Sequence, residues 1–206
     1  MNVSTQLLFF FSGLGAFNGL LISFYFLLFA KPRQASNIFL GAMLAMLSVR
    51  IGKSVFFFFN PELARIYLQL GLSACFFIGP FLFLYLQSIL PPKKKIISAK
   101  YLLPPMLLLF IIVGALYTYE EYPMYWRRYF IRTIYNSWFV FILGSAYLLK
   151  DTFVRLFSQR EKLTFHEIWG LNVFFGVFII WLAYYTSSYT SYIVGALSFS
   201  FMLYFS

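Results

Sequence analysis

Long apolar stretches, separated by short polar or charged connections, run along almost the whole chain. Each stretch is close to the roughly 17–25 residues that an α-helix needs to cross the hydrocarbon core of a bilayer. The pattern therefore predicts an all-α, polytopic membrane protein: a bundle of seven transmembrane helices that forms one domain over residues 1–206. The predicted spans are 7–29, 37–59, 64–90, 101–119, 129–149, 168–185 and 189–206.

The composition excludes the two other broad classes of chain. Hydrophobic residues make up 62% of the 206 residues and charged residues 11%, whereas soluble domains have about 45–50% apolar and about 25% charged residues. So few polar side chains cannot cover the core of a soluble protein. Intrinsic disorder needs low hydrophobicity, which this chain does not have. We therefore expect the lipid bilayer to be the environment of this protein.

The distribution of positive charge predicts the orientation of the bundle. The chain has 16 Lys and Arg residues against 6 Asp and Glu residues. Ten of the cations lie in the first, third and fifth connections, and four lie in or beside the second and fourth. Because cytoplasmic loops of membrane proteins collect Lys and Arg, we expect the N-terminus outside and the C-terminus in the cytoplasm.

The two remaining cations, Arg50 and Lys53, lie inside the second span. Arg50 is about 20 Å into that span, and Lys53 shares its helix face. Charges at this depth are costly and normally face the bundle interior or a water-filled cavity. One interpretation is a ligand- or anion-binding point made by Arg50, Lys53 and Ser54. The alternative is that Lys53 extends to the membrane surface while Arg50 bonds backbone carbonyls or a tyrosine.

The fourth connection is the best candidate for contacts outside the membrane. Tyrosine and tryptophan favour the lipid–water boundary, because the ring is apolar and its polar tip is hydrated. This connection combines such an aromatic residue with charges of both signs. The predicted external contacts are Glu120, Glu121, Trp126, Arg127 and Arg128.

Gly79 and Pro80 lie inside the third span and form a candidate hinge. Proline removes a helical hydrogen bond and kinks the helix. Such a kink either moves during function or is a static part of the packing, and the sequence leaves both alternatives open.

The chain has few residues that could support catalysis or bind a metal. One cysteine, Cys75, and one histidine, His166, exclude an internal disulfide, a cysteine-cluster metal site and bis-histidine haem ligation. Residues 71–74 match the loose GxSx pattern of intramembrane serine proteases, and that chemistry needs a base beside Ser73. The predicted topology places His166 on the opposite side of the membrane. We therefore predict no enzyme activity, no cofactor and no metal.

Several strings are similar to those of a known family. They are Asn-Ile-Phe-Leu-Gly at 37–41, Arg-Ile-Gly-Lys-Ser within 49–56, Gly-Pro-Phe-Leu-Phe within 79–88, and the segment 190–201. In this order they resemble the N-terminal multi-spanning membrane domain of bacterial AraC-type transcriptional regulators. In that family, a helix-turn-helix DNA-binding domain follows the membrane domain, and no such domain is found in residues 1–206.

The resemblance implies a sensor domain in the bacterial cytoplasmic (inner) membrane. Such a domain passes an envelope or membrane signal, a small molecule or a lipid, to a cytoplasmic DNA-binding domain, so this chain itself would bind no nucleic acid. Because helix-turn-helix proteins often bind paired half-sites as dimers, we also expect a homodimer. The alternative function is a small seven-helix transporter or channel for an anionic solute, although the sequence lacks the internal repeats of many carriers.

Overall fold

A computed structural model describes residues 3–60, 62, 64–90, 97–158 and 162–186, and all regular secondary structure in these ranges is helical. The predicted all-α class is therefore confirmed. The elements are α1 (Val3–Phe24) with a π-helical turn (Tyr25–Phe29), α2 (Ala35–Phe59), α3 (Ile66–Ile89), α4 (Ala99–Leu116), the short α5 (Pro123–Tyr125) with a π-helical turn (Trp126–Phe130), α6 (Ile131–Leu148), α7 (Lys150–Ser158) and α8 (Phe165–Thr186).

Five of the described helices are long and apolar enough to cross a membrane, so the chain is a membrane protein. They are Phe10–Phe29, Ala35–Phe57, Ile66–Ile89, Ala99–Leu116 and Phe165–Thr186, and they correspond to predicted spans one to four and six. The predicted fifth span forms α6, which is not among the five because Arg132, Asn136 and Ser137 make it less apolar. The predicted seventh span, 189–206, lies outside the described residues. The count of seven spans and their orientation stay predictions.

The helix pairs α1–α2 and α3–α4 are antiparallel, as their short connections require. Near the end of α1, Ser23 Oγ donates a hydrogen bond of 2.8 Å to the carbonyl oxygen of Gly41 near the start of α2. At the start of α3, Gln69 Nε2 donates one of 2.9 Å to the carbonyl oxygen of Gly114 near the end of α4. The point where α2 ends, α3 begins and α4 ends is called the α2–α3 end below, and the opposite side is called the α3–α4 end.

Helix α3 lies at the centre of the bundle and packs between α2 and α6. At Gly79 a Cβ atom would lie 2.9 Å from Phe141 Cβ and 3.2 Å from the Trp138 Cα atom. Only glycine permits this approach of the two helices. Helix α3 continues without a break through Pro80. The contact explains Gly79 by static packing, and the role of Gly79 and Pro80 as a hinge stays a prediction.

Candidate functional site

Two cations are buried side by side in α2. The exposed fractions are 3% for Arg50 and 7% for Lys53. Lys53 therefore does not extend to the surface. Its aliphatic stem packs against Gly71 of α3, where a Cβ atom would lie 2.8 Å from Lys53 Cβ. The glycine of the GxSx string thus makes room for a buried lysine.

The guanidinium of Arg50 joins three helices. Its Nη1 donates to Ser54 Oγ at 3.2 Å and its Nη2 to the hydroxyl oxygen of Tyr135 in α6 at 3.3 Å. Its Cζ lies 4.5 Å from the ring centroid of Tyr184 in α8, within the roughly 6 Å range of a cation–π contact. We call Arg50, Ser54, Tyr135 and Tyr184 the Arg50 cluster. It contains two of the three predicted membrane-site residues, and it includes the tyrosine contact that one interpretation expected.

An aromatic shell orients Tyr135. Trp181 Nε1 in α8 donates to the backbone carbonyl oxygen of Tyr135 at 3.1 Å. The rings of Tyr135 and Trp138 stack with centroids 6.2 Å apart, and all three side chains are buried. Because rings and a guanidinium at this depth interact in a low dielectric, small changes in their positions alter the energy strongly.

At the α2–α3 end two arginines lie at one cavity of about 330 Å³. We call it the arginine recess. Its lining residues are Arg65, Leu68, Tyr119, Pro123, Met124 and Arg127. The backbone N–H of Tyr119 donates to Gln69 Oε1 at 2.8 Å, which ties this wall of the recess to α3.

The recess contains Arg127 of the predicted external contacts, but not the others. Glu120, Glu121 and Arg128 are exposed at the same end and do not line it. Arg65, which was not among the predicted site residues, also lines the recess. Its position at the start of the third span was the available signal, but sequence alone does not show which connections meet.

Trp126 differs from its predicted role as an external contact, because its side chain is only 2% exposed. Its Nε1 donates to the backbone carbonyl oxygen of Tyr117 at 2.8 Å. Its ring packs against Tyr119 and Phe130, with centroids 5.9 Å and 5.1 Å away. The indole N–H is thus satisfied within the protein, and Trp126 holds the wall of the recess.

Glu167 is a buried polar residue that the sequence analysis missed. It forms an ion pair with Arg155 of α7 and is 1% exposed. Its Oε2 also accepts hydrogen bonds from Thr164 N at 2.8 Å and from Thr164 Oγ1 at 2.9 Å. The sequence signal was Thr164-Phe165-His166-Glu167, which has the spacing of a capping box before an apolar helix. Glu167 thus fixes the start of α8 and its junction with α7.

Potential metal ligands do not converge in the described part of the chain. Within these ranges no three His, Cys, Asp or Glu side chains come together. Ser73 Oγ donates to the backbone carbonyl oxygen of Gln69. Gly170 packs on Leu86, which lies about 20 Å along α3 from Ser73, and His166 lies one helical turn before Gly170 at the start of α8.

Comparison of the chain with protein-family models, with curated proteins and with solved structures finds no match. The resemblance to AraC-type regulators therefore stays a prediction, and the function has to be argued from the geometry of the Arg50 cluster and the arginine recess.

Proposed function

We propose that this chain is a membrane-embedded signal-input domain that passes an envelope or membrane signal to a cytoplasmic DNA-binding domain of the AraC type. One observation carries the proposal: Arg50 of α2 contacts Tyr135 of α6 and Tyr184 of α8 at the same time. The proposal includes seven spans in a bacterial inner membrane, an external N-terminus, a cytoplasmic C-terminus and no catalytic activity.

The Arg50 cluster is suited to favour discrete arrangements of the bundle. A cation inside a membrane protein is costly unless its partners remain in place. A displacement of α6 or α8 by a few ångströms therefore breaks a contact with Arg50 rather than stretching it. Two bundle arrangements then differ in energy, and a ligand that binds them unequally shifts their populations.

The arginine recess is the proposed entry point of the signal. Arg127 lines it, and Tyr135 lies eight residues later on the same continuous helical stretch, formed by α5, the π-helical turn and α6. This separation is about 12 Å along a helix. An anionic group held between Arg65 and Arg127 pulls on the start of this stretch. Because π-helical turns are frequent at functional sites, the turn at Trp126–Phe130 is the proposed adaptable point.

Helix α8 is the proposed output. Tyr184 lies in its last turn, so a change at the Arg50 cluster reaches the end of this helix. In the proposed topology the chain after α8 crosses the membrane once more and continues to the cytoplasmic partner. Dimerisation of the membrane domain would place two DNA-binding domains on paired half-sites.

The test is made in the cell of origin. The intact mass of the protein that the gene produces in its own cell is measured first. We expect a mass well above 24.2 kDa, with a C-terminal helix-turn-helix extension. Transcripts are then compared between wild type, a deletion strain and the Arg50→Met variant. We expect the deletion and Arg50→Met to change the same set of transcripts, whereas Arg33→Gln, which removes an exposed cation, leaves that set unchanged. Unaltered transcripts in the deletion strain would contradict the proposal.

A second candidate function is favoured by one observation, the burial of two cations in the second half of α2. Such a pair could form a transient site for an anion crossing the membrane. The purified chain, reconstituted in liposomes, would then take up chloride or phosphate, and Lys53→Met would reduce the rate at least fivefold. If the liposomes take up neither anion, transport is contradicted and the signal-input function remains the proposal.

A further inference from the structure

Helix α4 stands apart from the rest of the bundle. None of the residues Ala99–Leu116 is buried in the part of the chain that the structure describes. The helix is held mainly near its second half: Gly114 accepts the hydrogen bond from Gln69, and the rings of Phe110 and Phe77 lie 5.6 Å apart. A space therefore remains between α4 and the helices α2 and α3.

This space is a cavity of about 720 Å³, which we call the α4 cavity. Ten of its eleven lining residues are apolar, and the hydroxyl of the eleventh, Ser73, donates to a backbone carbonyl oxygen. Its volume lies within the range of roughly 300–1,000 Å³ typical of ligand sites. Water would find no partners on such walls, and an apolar cavity of this kind stays dry.

The α4 cavity lies at membrane depth and opens sideways. Phe77 is midway along α3, and Leu107 is midway along α4. The floor residues Ala74 and Phe77 are buried, whereas Leu70 and Leu107 are about half exposed. Because α3 and α4 are both apolar enough to cross a membrane, this opening faces lipid chains.

A positive charge continues the lining face of α4. Lys100 precedes Leu103 by three residues and Pro104 by four, and Leu107 follows at seven. These spacings place all four residues on one face of the helix. Lys100 is exposed and lies in the first turn of α4. The α4 face thus combines an apolar cavity with a cation at its membrane edge, which matches the chain and headgroup of an anionic lipid.

We propose that the α4 cavity binds one acyl chain of an anionic phospholipid, which enters sideways from the bilayer while its phosphate lies at Lys100. Lipid chains are as apolar as leucine, so removal from water does not drive this binding. The driving force is contact between the acyl chain and the cavity walls, among them three phenylalanine rings, whose atoms on the cavity side otherwise lack van der Waals partners. The site does not depend on whether the bundle senses or transports.

Native mass spectrometry of the full chain tests the proposal. Protein in neutral detergent is mixed with equal amounts of dioleoylphosphatidylglycerol and dioleoylphosphatidylcholine. We expect one retained lipid and an approximately fivefold preference for phosphatidylglycerol, the effect of about one lysine near an anionic surface. Ala74→Phe fills the floor and should reduce lipid occupancy at least fivefold. Lys100→Gln should remove the preference and keep a lipid bound.

Matched variants separate the site from general effects. Ala115→Leu enlarges an exposed residue of α4 that does not line the cavity, and Arg33→Gln removes a cation elsewhere; both should behave as wild type. Leu107→Trp narrows the mouth from an exposed position, so it tests the cavity even if Ala74→Phe does not fold. Wild-type occupancy in both filling variants overturns the proposal.

Three further outcomes would also overturn it. The first is an unchanged phosphatidylglycerol preference in Lys100→Gln, which would place the headgroup elsewhere. The second is complete displacement of the lipid by an equal concentration of oleyl alcohol, because the site would then recognise an alkyl chain alone. The third is a wild-type dimer that Ala74→Phe dissociates, which would make a second copy of this chain the occupant.

Discussion

The hydrogen bond between Arg50 and Tyr135 gives the sharpest prediction about the bundle. Tyr135→Phe removes one hydroxyl group and keeps the ring, which stacks on Trp138 with centroids 6.2 Å apart. The change leaves the cation–π contact of Arg50 with Tyr184 in place. It therefore reports on one interhelical contact of the cluster.

The magnitude follows from the geometry and the environment. Hydrogen bonds to charged groups contribute about 1.5–3 kcal/mol in proteins. The Nη2–hydroxyl distance of 3.3 Å is slightly longer than the usual 2.7–3.2 Å range for N–H···O hydrogen bonds. Interhelical hydrogen bonds within membranes average about 0.6 kcal/mol, with a maximum of about 1.7. Because Arg50 is charged and 3% exposed, we expect a coupling of about 1–1.5 kcal/mol, in the upper part of the membrane range.

A double-mutant cycle measures this coupling. The free energy of unfolding is determined by SDS titration in mixed micelles for wild type, Tyr135→Phe, Arg50→Met and the double variant. Tyr129→Phe, an exposed tyrosine on the same helical stretch, replaces Tyr135→Phe in a control cycle. The control cycle should be additive within about 0.3–0.5 kcal/mol, as for residues without shared contacts.

Additivity in the test cycle would refute the reasoning. A coupling no larger than that of the control means that Arg50 does not hold α6 through Tyr135. The Arg50 cluster would then not link α2 to α6, and the proposed transmission from the recess would lose its central contact. A coupling of the expected size with unaltered transcripts in Tyr135→Phe would instead confine the contact to stability.

Three other substitutions test the packing and the polar contacts. Gly79→Ala should destabilise the protein by about 1–3 kcal/mol in SDS titration through overpacking. The control Gly52→Ala, with nothing within 4 Å of its added Cβ, should be near neutral. Equal effects would contradict the close α3–α6 contact. Glu167→Gln should lower the free energy of unfolding by about 1–2 kcal/mol, between the values for surface and buried ion pairs, because Glu167 is buried and its partner Arg155 is partly exposed. The control Glu121→Gln, at an exposed position, should cost nothing measurable. Equal losses in the two variants would contradict the proposed role of Glu167 at the α7–α8 junction. Gln69→Met should speed hydrogen exchange at the Tyr119 amide at least tenfold, and an unchanged rate would argue against the hydrogen bond.

The long apolar helices of this fold could be predicted from sequence, because the length of an apolar stretch indicates where such a helix begins and ends. The second span was predicted at 37–59 and is observed at Ala35–Phe59; the third was predicted at 64–90 and is observed at Ile66–Ile89. Length and hydropathy cannot show how an uninterrupted helical stretch bends or where a short helix begins. The π-helical turn at Trp126–Phe130 was for that reason absent from the predictions, whereas α7 (Lys150–Ser158) lies in the connection where an extension of the helices was expected.

The partners of Arg50 could not be predicted. Spacing along α2 places Arg50 and Lys53 on one face, but Tyr135 follows Arg50 by 85 residues and belongs to another helix. Because most helices here are apolar around their whole circumference, the pattern does not show which of them meet. The burial of Trp126, which was predicted to be an external contact, was missed for a related reason. Its indole N–H donates to a backbone carbonyl oxygen within the protein rather than to water.

Burial in this bundle does not follow hydrophobicity, and the reason lies in the solvent. Helix α4 is the most apolar of the five membrane-crossing candidates, yet none of its residues is buried among those the structure describes. Helix α6 is less apolar, and it contains the fully buried Trp138 and packs on the central α3. In a bilayer an apolar surface gains little by leaving lipid, whereas a polar group needs protein partners. The polar contacts of Arg50, Gln69 and Tyr135 therefore help to hold their helices together, and replacing these residues should affect the arrangement of helices as well as the stability.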